Sequence, residues 1–338
     1  MNLLDIINQD TSLKWAASTS GGEYNGPCPM CGGKDRFQVW PNHPRGTGGR
    51  YWCRACEEQG DAIDWLRKLG LSFAEAREAL GLRVDYKINN SAVSQGLNWQ
   101  PYTITPAEYG WSELAGKIVD ACHRNLLASS EAMDFAKERG FTIDTVKANR
   151  LGWNPHNHFD HMVSWGLVPE NNPETGRPFK VCLSAGLVIP TFRDDKCVSI
   201  KVRRCDWHED DRLPKYMAVR GSERGPMALG CDFGKPIVIV ESELDAILIQ
   251  QEAGDHVETM AMRTAKGKPD DIAHGFLSSC PRILVALDYD DAGCEAAPWW
   301  LEQYEQATYW PVPEGKDPGE YHQSGGNVGK WIIQGIEN

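Results

Sequence analysis

Two groups of residues in this 338-residue chain have the types and spacing to do chemistry. The first is acidic. Glu241, with Glu243 and Asp245 close behind, follows the apolar run Ile237-Val238-Ile239-Val240. Asp288-Tyr289-Asp290, then Asp291-Ala292-Gly293, closes the run Ile283-Leu284-Val285-Ala286-Leu287. Carboxylates crowded this way repel one another and stay ionised only if something neutralises them. A hard divalent cation does so, and Mg²⁺ prefers a few carboxylates plus substrate phosphates. One acid after a strand is ordinary, because loops are wet. E-x-x-x-D behind one buried strand and D-x-D-x-A-G behind another is a pattern. The second group is Cys28-Pro29-Met30-Cys31 and, after 21 intervening residues, Cys53-Arg54-Ala55-Cys56. Two C-x-x-C knuckles at this separation supply four thiolates for a closed tetrahedral Zn²⁺ site. Gly32-Gly33 permits the tight turn that aims backbone amides at sulfur. His43 lies between the knuckles, but in Pro41-Asn42-His43-Pro44 it reads as a solvent-exposed turn residue.

The elements that position these groups follow from their periodicity. The two apolar runs lack polar alternation and are β-branched or Leu-rich, which suits strands buried on both faces of a helix-covered parallel sheet. Ligands bind outside the carboxyl ends of such strands, so Glu241, Asp288 and Asp290 are expected on one rim. Between the knuckles, Arg36-Phe37-Gln38-Val39-Trp40 and Arg50-Tyr51-Trp52-Cys53 read as ribbon strands. Lys34, Arg36, Trp40, Arg50, Trp52 and Arg54 interleave there with Phe37 and Tyr51, giving a surface that holds phosphates and stacks unpaired bases; about half of the aromatics are expected in the ribbon core. Asp61 caps a helix carrying Ile63, Leu66 and Leu69, and Ser72-Phe73-Ala74-Glu75 opens a second helix through Leu80.

Residues 84–105 show no clear period and read as a linker. Thr105-Pro106-Ala107-Glu108 predicts a helix start, with Thr105 as cap and Pro106 at the first position; a mostly helical region follows to about Leu151. Leu187-Val188-Ile189-Pro190 and Cys197 to Arg204 are strands. In the second, Val198, Ile200 and Val202 should face one side and Ser199, Lys201 and Arg203 the other, a basic front that can line a groove. Trp299, Trp300 and Trp310 are expected to pack. The tail from Gln323, with Trp331-Ile332-Ile333, docks on the core or on a partner; the residues leave both open.

Charge supports this division. The chain carries 47 acids against 35 Lys and Arg, a net of −12. Residues 234–323 hold 17 acids and six Lys/Arg, whereas residues 28–54 hold five Lys/Arg and one acid, and residues 177–224 hold 11 and seven. An acidic metal-binding module preceded by two basic stretches suits an enzyme that processes a polyanion. The 11 cysteines, an odd number, favour a metal site plus reduced thiols over a disulfide framework. No segment approaches the length of a membrane span and no signal peptide is evident, so a cytoplasmic location in a bacterial host cell, with no membrane partner, is expected.

The strand-terminal Glu and the D-x-D pair, over about Gly234 to Tyr321, resemble the topoisomerase–primase (TOPRIM) domain. Ser242 is a departure, because that family usually has Gly there. C-P-M-C-G-G-K-D-R-F, G-R-Y-W-C-R-A-C and G-D-A-I-D-W-L, over roughly residues 1–82, resemble the zinc-binding domain of phage and mobile-element primases; all four ligand positions are Cys. Glu138-Arg139-Gly140-Phe141 and Leu151-Gly152-Trp153 resemble the segment opening the primase core. Pro313-Glu314-Gly315-Lys316-Asp317-Pro318 resembles the last TOPRIM element.

The resemblance implies a multidomain α/β protein. Its parts are a zinc ribbon with two helices (1–82), a linker (83–105), the mixed α+β first part of a primase core (106–233), a TOPRIM catalytic domain with a Rossmann-like parallel sheet (234–323) and a tail (324–338). It implies a DNA primase that makes short RNA primers on a single-stranded DNA template from NTPs, for a phage, plasmid or mobile element. Asp288 and Asp290 would hold Mg²⁺ or Mn²⁺ with Asp245 and Asp317 assisting, and Glu241 would be ligand or proton acceptor. Lys201, Arg203 and Lys215 would contact nucleotide or template, and one structural Zn²⁺ would organise the ribbon. There is no G-x-x-x-x-G-K-[ST], so a replicative helicase would act in trans. The acidic rim alone also allows a TOPRIM nuclease, and a degenerate scaffold would leave a non-catalytic zinc-ribbon DNA-binding protein. A type IA topoisomerase would need a much longer chain.

Overall fold

The computed structural model describes residues 3–8, 10–43, 48–71, 76, 79–81, 99–208, 210–230 and 234–337. Most of the helix expected from Ser72, and residues 83–98 of the expected linker, lie outside them. The chain divides into one unit of residues 1–90 with 313–315 and another of residues 91–312 with 316–338.

In the first unit, helix α1 (Leu3–Ile7) precedes strands β1 (Lys14–Ala17), β2 (Glu23–Cys28), β3 (Gly32–Trp40), β4 (Arg50–Cys53) and β5 (Gln59–Asp61), then helix α2 (Ala62–Lys68). The strands form one antiparallel sheet in chain order. Alternation decides its faces. Phe37, Val39, Tyr51 and Cys53 are buried, and Phe37 and Tyr51 pack on Trp65 of α2 with ring centroids 5.7 and 5.0 Å away. Asp61 starts α2 by accepting the N–H groups of Ile63 and Asp64, while the Asp64 carboxylate accepts the Asp61 N–H, a reciprocal cap.

The second unit opens with helices α3 (Tyr109–Ala128), α4 (Ser130–Lys137) and α5 (Ile143–Ala148). Helix α3 begins at Tyr109, three residues later than Thr105-Pro106 predicts. The reason is tertiary: the Ala107 N–H donates to the Glu223 carboxylate at 3.1 Å, so this stretch is held on the core. Strands β6 (Gly152–Asn154), β7 (His158–His161), β8 (Lys180–Leu183), β9 (Gly186–Arg193), β10 (Lys196–Arg204) and β11 (Tyr216–Ala218) follow. They make a four-stranded antiparallel sheet, β11-β10-β9-β6, and a β7–β8 hairpin. Helix α3 covers one face through Trp111, Ala115 and Val119, which pack with Val188, Ile200 and Val202.

The remainder alternates strand and helix: β12 (Met227–Leu229), β13 (Ile237–Val240), α6 (Glu243–Ala253), β14 (Glu258–Ala261), α7 (Asp271–Ser279), β15 (Ile283–Val285), α8 (Asp291–Gln303), β16 (Ala307–Tyr309), α9 (Pro318–Gln323) and α10 (Val328–Glu337). The sheet order is β12-β14-β13-β15-β16. Strands β14, β13, β15 and β16 are parallel, and β12 is antiparallel at the edge. Both faces are buried. Val238, Val240 and Leu284 enter one core with Ile247 of α6 and Trp331 and Ile332 of α10. Ile237, Ile239, Ile283 and Val285 enter the other with Leu277 of α7 and Trp300 of α8. The tail therefore docks on the core of its own chain. Among the described residues no helix is long and apolar enough to cross a membrane.

Candidate active site

Sheet order brings the acids together. β13 and β15 are neighbours, so Glu241 and Asp288 leave adjacent strand ends. Each following helix is started by a rim side chain. Ser242 caps α6 by accepting the Asp245 N–H; its extended backbone (φ −96°, ψ 149°) requires no glycine. Asp290 caps α8 through the Gly293 N–H at 3.0 Å. A Cβ on Gly293 would collide with the Asp288 carbonyl, so the glycine lets α8 start directly against the rim. Asp317 caps α9 through the Glu320 N–H at 2.8 Å.

The crowding shows in the titration of the group. Burial, then Asp288 and Asp290, push the Glu241 carboxyl up to about 7. Burial raises Asp288 to about 6 although Lys316 pulls the other way. Asp245, buried and facing Asp317 and Asp288, is held well above the ordinary carboxylate range, against the Ser242 hydroxyl at 2.6 Å and the Gly319 N–H at 3.1 Å. Lys316 places its ammonium 3.1 Å from Asp288 Oδ2 and 3.0 Å from Asp290 Oδ2. No three of the described carboxylates converge within a single ligand shell in this arrangement; the four cysteines alone do so. The donor set nonetheless fits a hard cation. Glu241, Asp245 and Asp288 are carboxylates with raised proton affinity, and the buried Glu241 Oε1 has no hydrogen-bond partner in the structure.

Beside the rim lies a cavity of about 360 Å³. Arg139, Arg203, Lys215 and Lys316 line it together with Asp245, Asp288 and Asp317. Glu241 and Asp290 are not among its lining residues and adjoin it through Asp288 and Lys316. The cations crowd one another as well. Burial and then Arg203 lower Arg139 to about 10, and burial, Arg203 and Arg139 lower Lys215. Arg139 and Arg203 share the Phe135 ring, at 4.0 and 5.1 Å from its centroid. Like charges packed this closely require an anion. The sequence marks Arg139 only as part of Glu138-Arg139-Gly140-Phe141, without a binding role; in the structure it is half-buried and lines the cavity.

Lys201 is placed differently from Arg203 and Lys215. Its ammonium lies 2.7 Å from Glu243 Oε2, with side-chain exposures of 16% and 2%. It ties β10 to α6 and does not line the cavity. A register shift between Cys197 and Ser199 also breaks the strict alternation expected of β10. Ser199 is buried, so only Arg203 of the expected basic front reaches the cavity. Trp300 is fully buried, and Trp310 donates its indole N–H to the Trp331 carbonyl at 3.1 Å.

In the ribbon, all four cysteine sulfurs lie within 4.8 Å of one another. Cys28 to Cys56 is 3.8 Å and Cys31 to Cys53 is 3.6 Å, near the roughly 3.8 Å edge of a tetrahedron with Zn–S about 2.3 Å. Gly32 and Gly33 take φ of +70° and +94°. Burial raises Cys28 while the Cys31 and Met30 amides oppose it. Burial works the same way on Cys53, but the Cys56 and Ala55 amides, with the Cys56 and Cys31 thiols, bring it down to about 6. The tetrad fits Zn²⁺, and His43 is outside it. On the opposite face, Trp40 pairs with Arg50 and Gln38 with Trp52. Lys34 and Trp52 are exposed, the Trp40 indole donates to Glu23 at 3.2 Å, Arg36 turns toward Cys31, and Arg54 pairs with Asp35 at 2.7 Å.

The chain thus carries a zinc ribbon and a two-sheet core with an acidic rim on its parallel sheet. Residues 23–63 match the family described as the zinc-binding domain of primase-helicase. The chain is similar to the DNA primase of Deinococcus radiodurans, 25% identical over 346 residues that cover 91% of this chain and 55% of that protein. It is also similar to the DNA primase of Staphylococcus epidermidis, 30% identical over 166 residues, 47% of this chain and 26% of that protein. The chain thus spans a little over half the length of the curated relatives matched along most of it. The DnaG catalytic core has the same fold over 66% of this chain and 79% of its own, at TM-score 0.50 and 16% identity. So does the RNA polymerase domain of Mycobacterium tuberculosis primase, solved with a double-stranded DNA oligomer carrying a 6-nucleotide overhang, over 68% and 81%, at 0.50 and 15%.

Proposed function

We propose that this chain is a DNA primase that joins ribonucleotides on single-stranded DNA, for a phage, plasmid or other mobile element. One observation carries the reading: a single cavity is lined both by crowded cations and by crowded carboxylates. A nucleoside triphosphate with its divalent cations satisfies both at once. Arg139, Arg203 and Lys215 hold the phosphates. Asp288 and Asp290, with Asp245 and Asp317, hold one or two Mg²⁺ or Mn²⁺ ions. When bound, these ions lower the pKa of the attacking 3′-hydroxyl and offset charge developing on the triphosphate. Glu241, titrating near neutrality, acts as ligand or as acceptor of the hydroxyl proton. The ribbon, folded on Zn²⁺, presents Trp52, Arg50 and Lys34 to the unpaired template, whose bases are stacked and read on their edges. A replicative helicase supplies that template in trans.

The test offers labelled NTPs or dNTPs with single-stranded templates of varied sequence and Mg²⁺ or Mn²⁺. Template-dependent oligoribonucleotides are expected. Template cleavage without synthesis would turn the reading to a nuclease, and binding without either reaction to a DNA-binding module.

A further inference from the structure

We propose that Arg263 is a positioning residue that sets the acidic rim against the basic strand of the second sheet, an inference that rests on the function proposed above. Arg263 follows β14 with φ +68°, in the left-handed region that disfavours a residue with a Cβ. From this turn its backbone N–H donates to the Glu241 carbonyl at 2.7 Å. Its guanidinium then leaves the parallel sheet. Nη1 donates to Ser199 Oγ at 2.9 Å and to the Glu223 carbonyl at 2.8 Å, and Nη2 donates to Thr191 Oγ1 at 2.9 Å. Nε lies 3.4 Å from Glu243 Oε1.

One side chain, 12% exposed, thus joins the turn that is hydrogen-bonded to the Glu241 carbonyl to β9 and β10. Ser199 and Arg203 share β10, so the contact fixes the acids relative to the cations of the cavity wall. Glycine adopts this φ without strain; an arginine in it is held by its partners. Arg263 does not line the cavity, so its effect on chemistry passes through Glu241 and β10. Loss of the guanidinium leaves Arg203 on β10 and Lys215 just before β11 to hold phosphate, while the rim shifts. Turnover should suffer more than nucleotide affinity.

The experiment measures kcat and nucleotide KM for primer synthesis in wild type, Arg263→Gly, Arg263→Lys and the double variant Thr191→Val with Ser199→Ala. Arg263→Gly keeps the left-handed turn and removes the fork. It is expected to lower kcat by about tenfold or more, since small misplacements at a reacting centre are costly, with KM changed by less than about threefold. Arg263→Lys should fall between Arg263→Gly and wild type. The hydroxyl double variant should lower kcat by about threefold to fivefold while remaining folded at the assay temperature, and it decides the matter if Arg263→Gly does not fold. A kcat within about twofold of wild type in the folded variants, or a rise in KM alone, overturns the proposal. If wild type makes no primer, the functional reading fails separately. Mn²⁺ binding by electron paramagnetic resonance then tests the positioning: weaker binding by Arg263→Gly supports it, and unchanged affinity overturns it.

Discussion

The Lys316 ammonium stands 3.1 Å from Asp288 Oδ2. A resident cation thus already neutralises part of the carboxylate pair that follows β15, and it enters from the loop that also carries Asp317. The rim is compensated, but incompletely: Glu241 Oε1 stays buried without a hydrogen-bond partner. The predictions below follow from this balance.

Asp288→Asn with Asp290→Asn should abolish primer synthesis while leaving zinc content and folding intact. Removing crowded charge costs the fold little, so the melting temperature should hold or rise. Synthesis at the normal rate in a template assay would remove both aspartates from the cation site.

Stability should depend on pH through the rim. Glu241 titrates at about 7 and Asp288 at about 6, above the ordinary carboxylate values near 4. The folded protein therefore binds more protons than the unfolded chain between about pH 4 and 7, and stability falls as pH rises through that window. Without added divalent cation, the melting temperature should be higher at pH 5.5 than at pH 8. Added Mg²⁺ should stabilise more at pH 8, where it no longer competes with protons. Scanning calorimetry at the two pH values checks both signs.

Cys53→Ser should release zinc and impair use of the DNA template. A structural zinc contributes about 10 kcal/mol or more to folding such a domain, so partial retention of the ribbon is not expected. Zinc content by mass spectrometry is the measurement; a stoichiometric ion in the variant would mean another ligand set.

Arg203→Ala and Arg139→Ala should each weaken nucleotide or template binding by about tenfold or more, as expected for a charge-assisted contact. Each should also flatten the salt dependence of single-strand binding if it meets a template phosphate. Titration across a salt series distinguishes them from solvated charges, which would change neither.

Lys201→Met should behave in the opposite way. Breaking a buried pair leaves Glu243 undercompensated, at a cost of about 3 kcal/mol, while nucleotide affinity changes little. Urea denaturation beside a nucleotide titration separates the two effects.

Much of this architecture is legible in local signals. The β-branched runs before Glu241 and Asp288 specify strands buried on both faces, and the two C-x-x-C pairs specify a thiol tetrad. What stayed hidden depends on contacts remote in sequence. Arg139 joins the cavity because α9 and the end of α4 meet, with the Gln323 side-chain amide on the Glu138 carbonyl at 3.0 Å. Lys201 has the alternation of a groove residue, but the docking of α6 presents Glu243 to it. The Thr105-Pro106 start gives way to the Glu223 contact at Ala107. Trp331 and Ile332 announce an apolar face without naming the surface, α6 and the sheet, that receives it.

Helix α9 has a structural consequence of its own. Asp317 opens it, the Gly319 amide reaches Asp245 within its first turn, and Gln323 closes it against the residue before Arg139. Six residues, about 9 Å of helix, act as a spacer bar between Asp245 and the residue beside Arg139. Inserting a single residue there would turn the far end by about a third of a revolution and carry its anchoring amide away from Glu138, so this stretch should tolerate substitutions far better than changes of length.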